Sequence, residues 1–212
     1  MVKNHHLLLS LCILFVFVKL TAIYNTDFNL YGDEAQYWAW SKNLSWGYFS
    51  KPPLIAFLIR LFTEIFGDGF FAIKLFPVIF YIFTSITVYF VAKILFNKKV
   101  AAVSGITFFL LPGVSLSSFL ISTDVPLLLF WSLALYFSYR LIKSPNIIFA
   151  LILGISIGIG FLAKYAMVYY FICTAFYAFI DRSFFIHLLN NKKVYSFVFL
   201  VFLIKLFQPD LE

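Results

Sequence analysis

The feature that most constrains this chain is a series of apolar runs separated by short polar joints, each long enough, or nearly so, to cross a lipid bilayer. Hydrophobic residues make up 63% and charged residues 12% of the chain, against roughly 45–50% and about 25% in soluble domains. A water-soluble globule of 212 residues could not shield that much apolar surface. The fold class read from this is an all-α membrane protein, a bundle of transmembrane helices. Phe, at 30 residues, supplies much of the packing and lipid-facing surface. Cys12 and Cys173 both lie inside apolar runs and offer neither a disulfide framework nor a metal-ligand spacing.

The runs predict about seven spans, over residues 7–24, 70–95, 101–120, 125–141, 147–162, 165–180 and 194–207. The first reads as an uncleaved signal anchor whose Lys19 snorkels to the interface. Residues 25–68 break the rhythm and form a first outer loop. Trp38, Trp40 and Trp46, with Tyr31, Tyr37 and Tyr48, mark headgroup depth there. The run 53–66 is short and carries Arg60 and Glu64, so it reads as a helix lying in the interface. No repeat or linker divides the chain, which is taken as a single membrane-embedded domain over 1–212.

Charge sets the expected topology. With the N-terminus in the cytoplasm, Lys3, Lys93, Lys98, Lys99, Arg140, Lys143, Arg182, Lys192 and Lys193 fall inside, opposed there by Asp181 alone. Asp27, Asp33, Glu34, Glu64, Asp68 and Asp124 fall outside. The net charge of +7 therefore tracks the cytoplasmic side and does not form a nucleic-acid patch.

Few residues remain that could carry chemistry. Asp33 and Glu34 are adjacent carboxylates at the outer end of the first span, costly unless paired, hydrated or used. Their plain reading is a helix start, with Asp33 as N-cap and Glu34 in the first turn of an interfacial helix. Lys51 precedes Pro52 and Pro53, which hold it extended and begin a helix after it. It is either a presented phosphate ligand or an ordinary snorkelling lysine. Asp124, in Ser122-Thr123-Asp124-Val125-Pro126, either caps the fourth span or belongs to a site. Lys164 falls on the same expected side. Two acids and two bases on one membrane face favour a functional site.

Gly32-Asp33-Glu34-Ala35-Gln36-Tyr37-Trp38, Trp46-Gly47-Tyr48-Phe49-Ser50-Lys51-Pro52-Pro53-Leu54 and Thr123-Asp124-Val125-Pro126 resemble motifs of the multispanning glycosyltransferases related to protein O-mannosyltransferases. The similarity is greatest to the bacterial branch that includes the aminoarabinose transferase and RgtA/B/C/D-like enzymes, and it runs through nearly the whole chain. It implies a GT-C-type transmembrane helix bundle and an inverting transferase. The donor would be a polyprenyl-phosphate sugar and the acceptor a lipid, glycan or protein at the outer face of the cytoplasmic (inner) membrane. The resemblance makes Asp33 the catalytic carboxylate, Glu34 its tuning neighbour and Asp124 a second acidic residue orienting donor or acceptor. Lys51 would hold the carrier phosphate, with Lys164 a further phosphate ligand. Some relatives carry a zinc-binding glutamate just before that lysine; this chain has Ser50, so no metal and no cofactor is expected. Relatives run well beyond this length. The expectation is therefore a chain that completes its carrier groove with a partner chain, or an inactive fragment.

Other signals carry less. Gly158-Ile159-Gly160-Phe161-Leu162-Ala163 spells a dinucleotide fingerprint but sits inside an apolar run with no preceding strand. Gly154 and Gly158 read as a helix-packing face. A transporter or flippase would place its charges near the bilayer midplane; here most acids gather at one surface.

Overall fold

The computed structural model describes residues 4–25 and 29–191, together with Tyr195, Val198 and Phe199. The expected span 194–207 and the charges Lys3, Asp27, Lys192 and Lys193 lie, wholly or nearly so, outside the described residues. Among those residues the regular structure is helical throughout. The helices are α1 (Asn4–Tyr24), α2 (Gly32–Lys42), α3 (Leu54–Phe66), α4 (Phe70–Leu95), α5 (Lys98–Leu110) and α6 (Pro112–Ser117). They continue with α7 (Asp124–Lys143), α8 (Ile147–Ala163), a 3-10 turn at Tyr165–Met167, α9 (Val168–Ile180) and α10 (Arg182–Asn190). This is an all-α membrane protein. Among the described residues α4 and α7 are long and apolar enough to cross a bilayer, and the pair formed by residues 165–180 and α10, bent by 112°, would make a third span. Ile13–Tyr24 of α1, and α8, are shorter apolar helices.

The expected span 101–120 is not one helix. Pro112 has no N–H to continue the ladder, and it forces Leu111 to an extended ψ of 132°. The run therefore breaks into α5 and the short α6. Hydropathy could not show this, because Pro-Gly interrupts the run without making it polar.

The chain divides into two compact units, residues 1–45 with 55–125, and residues 46–54 with 126–212. The core of the first unit gathers Tyr37 from α2, Ile55, Ile59 and Phe62 from α3, Ile73, Phe76 and Tyr81 from α4, then Ile121 and Val125. Helix α3 buries one face through Ile55, Ala56, Ile59 and Phe62 and leaves Leu61, Ile65 and Phe66 exposed, the one-sided pattern of a surface-lying helix. Helices α4 and α5 meet where Gly105 lies against Ser85, whose hydroxyl donates to the Gly105 carbonyl at 2.7 Å.

Two expectations fail in this unit. Tyr37 is 4% exposed and belongs to the core, so it is no belt residue; α2 turns it inward with Trp38 and Trp40 packed around it. Lys19 does not snorkel. It is 2% exposed, turned onto the Ser118 hydroxyl and the Ser115 carbonyl.

The core of the second unit runs through Leu127, Ala134 and Leu141 of α7, Ala150, Leu153 and Ile157 of α8, then Ala163, Met167 and Tyr170. Gly154 and Gly158 are buried on α8, and Gly160 packs directly on Met167. Helix α10 starts at Asp181, whose carboxylate accepts the Ser183 and Phe184 N–H groups at 2.9 and 3.2 Å. The Ser183 hydroxyl beside Asp181, helped by the Phe184 N–H, keeps that carboxyl below its ordinary range.

Candidate functional site

Helix α2 begins two residues earlier than an Asp33 cap would have it. Tyr31 is the N-cap, extended at φ −66° and ψ 163°, so Asp33 and Glu34 both sit in the first turn. The two neighbours then point to different worlds. Asp33 is exposed, whereas Glu34 is 2% exposed. A carboxylate in the first turn meets unpaired N–H groups and the positive end of the helix dipole. Glu34 uses this by accepting the Tyr31 N–H at 3.1 Å.

Glu34 also reaches out of its helix. Its Oε1 accepts the Ile121 N–H at 2.7 Å and the Lys74 ammonium of α4 at 2.5 Å, with both side chains buried. Lys74 donates in addition to the Phe119 carbonyl at 2.8 Å and lies 5.3 Å from the centre of the Phe70 ring. A buried pair survives desolvation only when its remaining lone pairs and protons are bonded, and here the carboxylate has three donors. Glu34 thus staples α2 to α4 and to the segment before α7.

That staple shapes a cleft of about 570 Å³ lined by Tyr31, Gly32, Asp33, Glu34, Leu120, Ile121 and Ser122. Just beyond its rim the Ser122 hydroxyl donates to the Asp124 carboxylate and accepts the Asp124 N–H, both at 3.1 Å. Tyr37 feels both acids: burial first, then the charges of Asp33 and Asp124, push its hydroxyl above the ordinary tyrosine value. The far end of α2 is tied down by Asp68, which takes the Trp38 indole N–H at 3.2 Å and pairs with Lys42. Gly67, at φ 90°, supplies the left-handed turn that carries Asp68 there. Those bonds, Lys42 foremost, hold Asp68 below the usual carboxylate range.

The structure therefore brings Asp33, Glu34 and Asp124 together in the first unit. Lys51 and Lys164 belong to the second. There Tyr48 and Lys51 exchange backbone hydrogen bonds at 3.2 and 3.3 Å, closing a tight loop that leaves Lys51 half-buried. Leu54, three residues on, packs against the core that also holds Ala163 and Met167 on either side of Lys164. The residues that sequence reasoning missed are Lys74 and the buried amine of Lys19. Among the described residues no three His, Cys, Asp or Glu side chains gather as a metal ligand set would.

The model of the dolichyl-phosphate-mannose-protein mannosyltransferase family matches residues 50–209. That stretch takes in Lys51, Asp124 and Lys164, while Asp33 and Glu34 precede it. Among curated proteins the chain is similar to a lipid A galacturonosyltransferase, RgtD, of Rhizobium johnstonii, with 40% identity over 145 residues. The match covers 68% of this chain and 30% of that relative, so the chain spans under a third of the relative's length. No solved structure matches it.

Proposed function

The chain belongs to the dolichyl-phosphate-mannose-protein mannosyltransferase family, and from that premise we propose that it transfers a sugar from a polyprenyl-phosphate carrier to a lipid, glycan or protein acceptor. The reading places the reaction at the outer face of the inner membrane, with about seven spans and a cytoplasmic N-terminus. The observation that carries it is the cleft with exposed Asp33 at its rim, next to a buried and fully bonded Glu34.

In the proposed inverting step the acceptor oxygen attacks the anomeric carbon as the carrier phosphate leaves. Asp33 takes the acceptor proton, or orients a phosphate acceptor, which needs an accessible carboxylate within hydrogen-bond reach. Lys51 holds the carrier phosphate and meets the charge it gains on leaving, with Lys164 as a further cation. Asp124, fixed by Ser122, orients donor or acceptor. Glu34 is the support of Asp33: with three donors on it, its charge serves to hold the first turn of α2 in place. A partner chain that completes the carrier groove belongs to the same reading.

The test is transfer of labelled sugar from a polyprenyl-phosphate donor in membranes carrying the chain, alone and with co-expressed candidate partners. Transfer is expected to require Asp33, and to fall with Lys51→Ala mainly through weaker donor binding, raising KM. Equal transfer by the parent chain and Asp33→Asn would remove Asp33 from its role.

A further inference from the structure

The segment from Leu111 to Ser122 has little helix of its own. Helix α6 is six residues long, and the chain beyond it makes only short turns, Phe119 N–H to Leu116 carbonyl at 3.0 Å and Leu120 N–H to Ser117 carbonyl at 3.1 Å. Yet this segment forms one wall of the cleft. It is held from outside at Ser115, Ser117, Ser118, Phe119 and Ile121. Tyr81 donates to the Ser117 hydroxyl at 2.9 Å, Lys74 to the Phe119 carbonyl, and the Ile121 N–H to Glu34.

The remaining tie comes from Lys19 of α1. Its Nζ donates to the Ser115 carbonyl at 3.1 Å and to the Ser118 hydroxyl, among the rings of Phe15, Phe109 and Phe119 at 4.6, 5.6 and 5.4 Å. Ser118 in turn is wholly buried and donates to the Ser115 carbonyl at 2.7 Å. An amine closed off in an apolar bundle is costly, and a lysine near a helix end has the cheaper choice of reaching the interface. The bonds that Lys19 makes go to the Ser115 carbonyl, which the Ser118 hydroxyl also reaches, and to that hydroxyl itself.

We propose that Lys19 is a positioning residue for the cleft, clamping the Ser115–Ser118 corner so that Phe119 and Ile121 meet Lys74 and Glu34, and so that α2 presents Asp33. The proposal rests on the reading of that cleft as the transfer site. Lys19 touches neither substrate nor Asp33; its effect passes through the backbone of residues 118–121.

Two readouts test it in the full chain in membranes. In a background with Cys12 and Cys173 replaced by alanine, Ile121→Cys puts a thiol at a position that is 3% exposed. A water-soluble maleimide is expected to label it slowly when Lys19 is present. Lys19→Met, which keeps the bulk and removes the donor, should speed labelling by about tenfold, the scale of one hydrogen bond from a charged group. Ser118→Ala, which removes one of the two acceptors, should fall between and guards against a Lys19 variant that fails to fold. In the native-cysteine chain Lys19→Met should lower kcat by about tenfold and leave the donor KM within about twofold, the pattern of lost transition-state positioning. Unchanged labelling in both variants would overturn the clamp, and faster labelling with unchanged kcat would overturn its role in transfer. Absence of transfer by the parent chain itself would count against the cleft reading, while the labelling would still decide the clamp.

Discussion

Glu34 and Lys74 meet at 2.5 Å with both side chains shut away from solvent, joining the first turn of α2 to α4 across 40 positions of sequence. The pair is part of a closed set, in which the Tyr31 and Ile121 N–H groups complete the carboxylate and the Phe119 carbonyl takes another ammonium proton. Such a set behaves as a unit, because taking away one member leaves its partners buried with a bond unmade.

Breaking the pair from one side should therefore be worse than replacing both. Lys74→Met leaves an uncompensated buried carboxylate and is expected to cost about 3–5 kcal/mol. The double variant Glu34→Gln with Lys74→Met should recover much of that loss, since neither residue then needs a charge partner. Denaturant or thermal unfolding of the two proteins in the same detergent checks it. Equal losses in single and double variants would mean that the two residues are not coupled.

How far the sequence revealed this arrangement differs from element to element. The limits of α4, Phe70–Leu95, coincide with the apolar run between Gly69 and Asn97, because length and apolarity decide a span. Asp33 and Asp124 stand out because they occupy joints between runs, and a carboxylate there is visible against an apolar background. Lys19 and Lys74 stay hidden for the opposite reason. A cation inside or beside a run is read by default as snorkelling, and its acceptors lie 96 and 40 residues away. The signal that could have found them is the amine itself: in an apolar run it demands a buried acceptor wherever it does not reach the interface. The break at Pro112 was also written in the residues, but steric rules for proline had to outrank hydropathy.

Asp33→Asn separates catalysis from folding. Asp33 is exposed in the first turn of α2, and its loss should change stability by no more than about 0.5 kcal/mol. As the base of the proposed transfer it should cost roughly 10²–10⁴ in turnover. Abundance and unfolding, compared with sugar transfer from the same membranes, measure both halves. A large fall in abundance would mean that Asp33 holds the fold.

The α4–α5 contact has no spare room at Gly105. A Cβ there would lie 3.1 Å from the Ser85 carbonyl oxygen and 3.2 Å from the Tyr89 Cβ, both fixed parts of α4. Gly105→Ala should destabilise by roughly 1–3 kcal/mol, as overpacking does. Gly113, where an added Cβ meets nothing within 4 Å, is the control, and Gly113→Ala should stay within about 0.5 kcal/mol. Unfolding of the two variants side by side distinguishes a tight helix contact from a general dislike of alanine.

Tyr37 reports whether the two candidate acids share one site. Its hydroxyl is pushed above the ordinary value of 10.0, by burial first and then by the negative charges of Asp33 and Asp124. A phenolate beside two carboxylates is disfavoured, so the neutral form persists further into alkali in the folded chain than in the unfolded one. The sign for stability follows. Both states hold the proton below the ordinary tyrosine value, so nothing changes there; above it the unfolded chain gives the proton up first, and stability is lost as pH rises toward the raised folded value. Tyr37→Phe should remove that part of the alkaline loss. Asp33→Asn and Asp124→Asn should each lower the pH at which Tyr37 ionises, by less than burial raises it. Tyrosinate difference spectra of each variant, with Tyr37→Phe subtracted to isolate the one ring, read this directly. If Asp124→Asn leaves the Tyr37 titration where it was, Asp124 does not face the cleft that Asp33 borders.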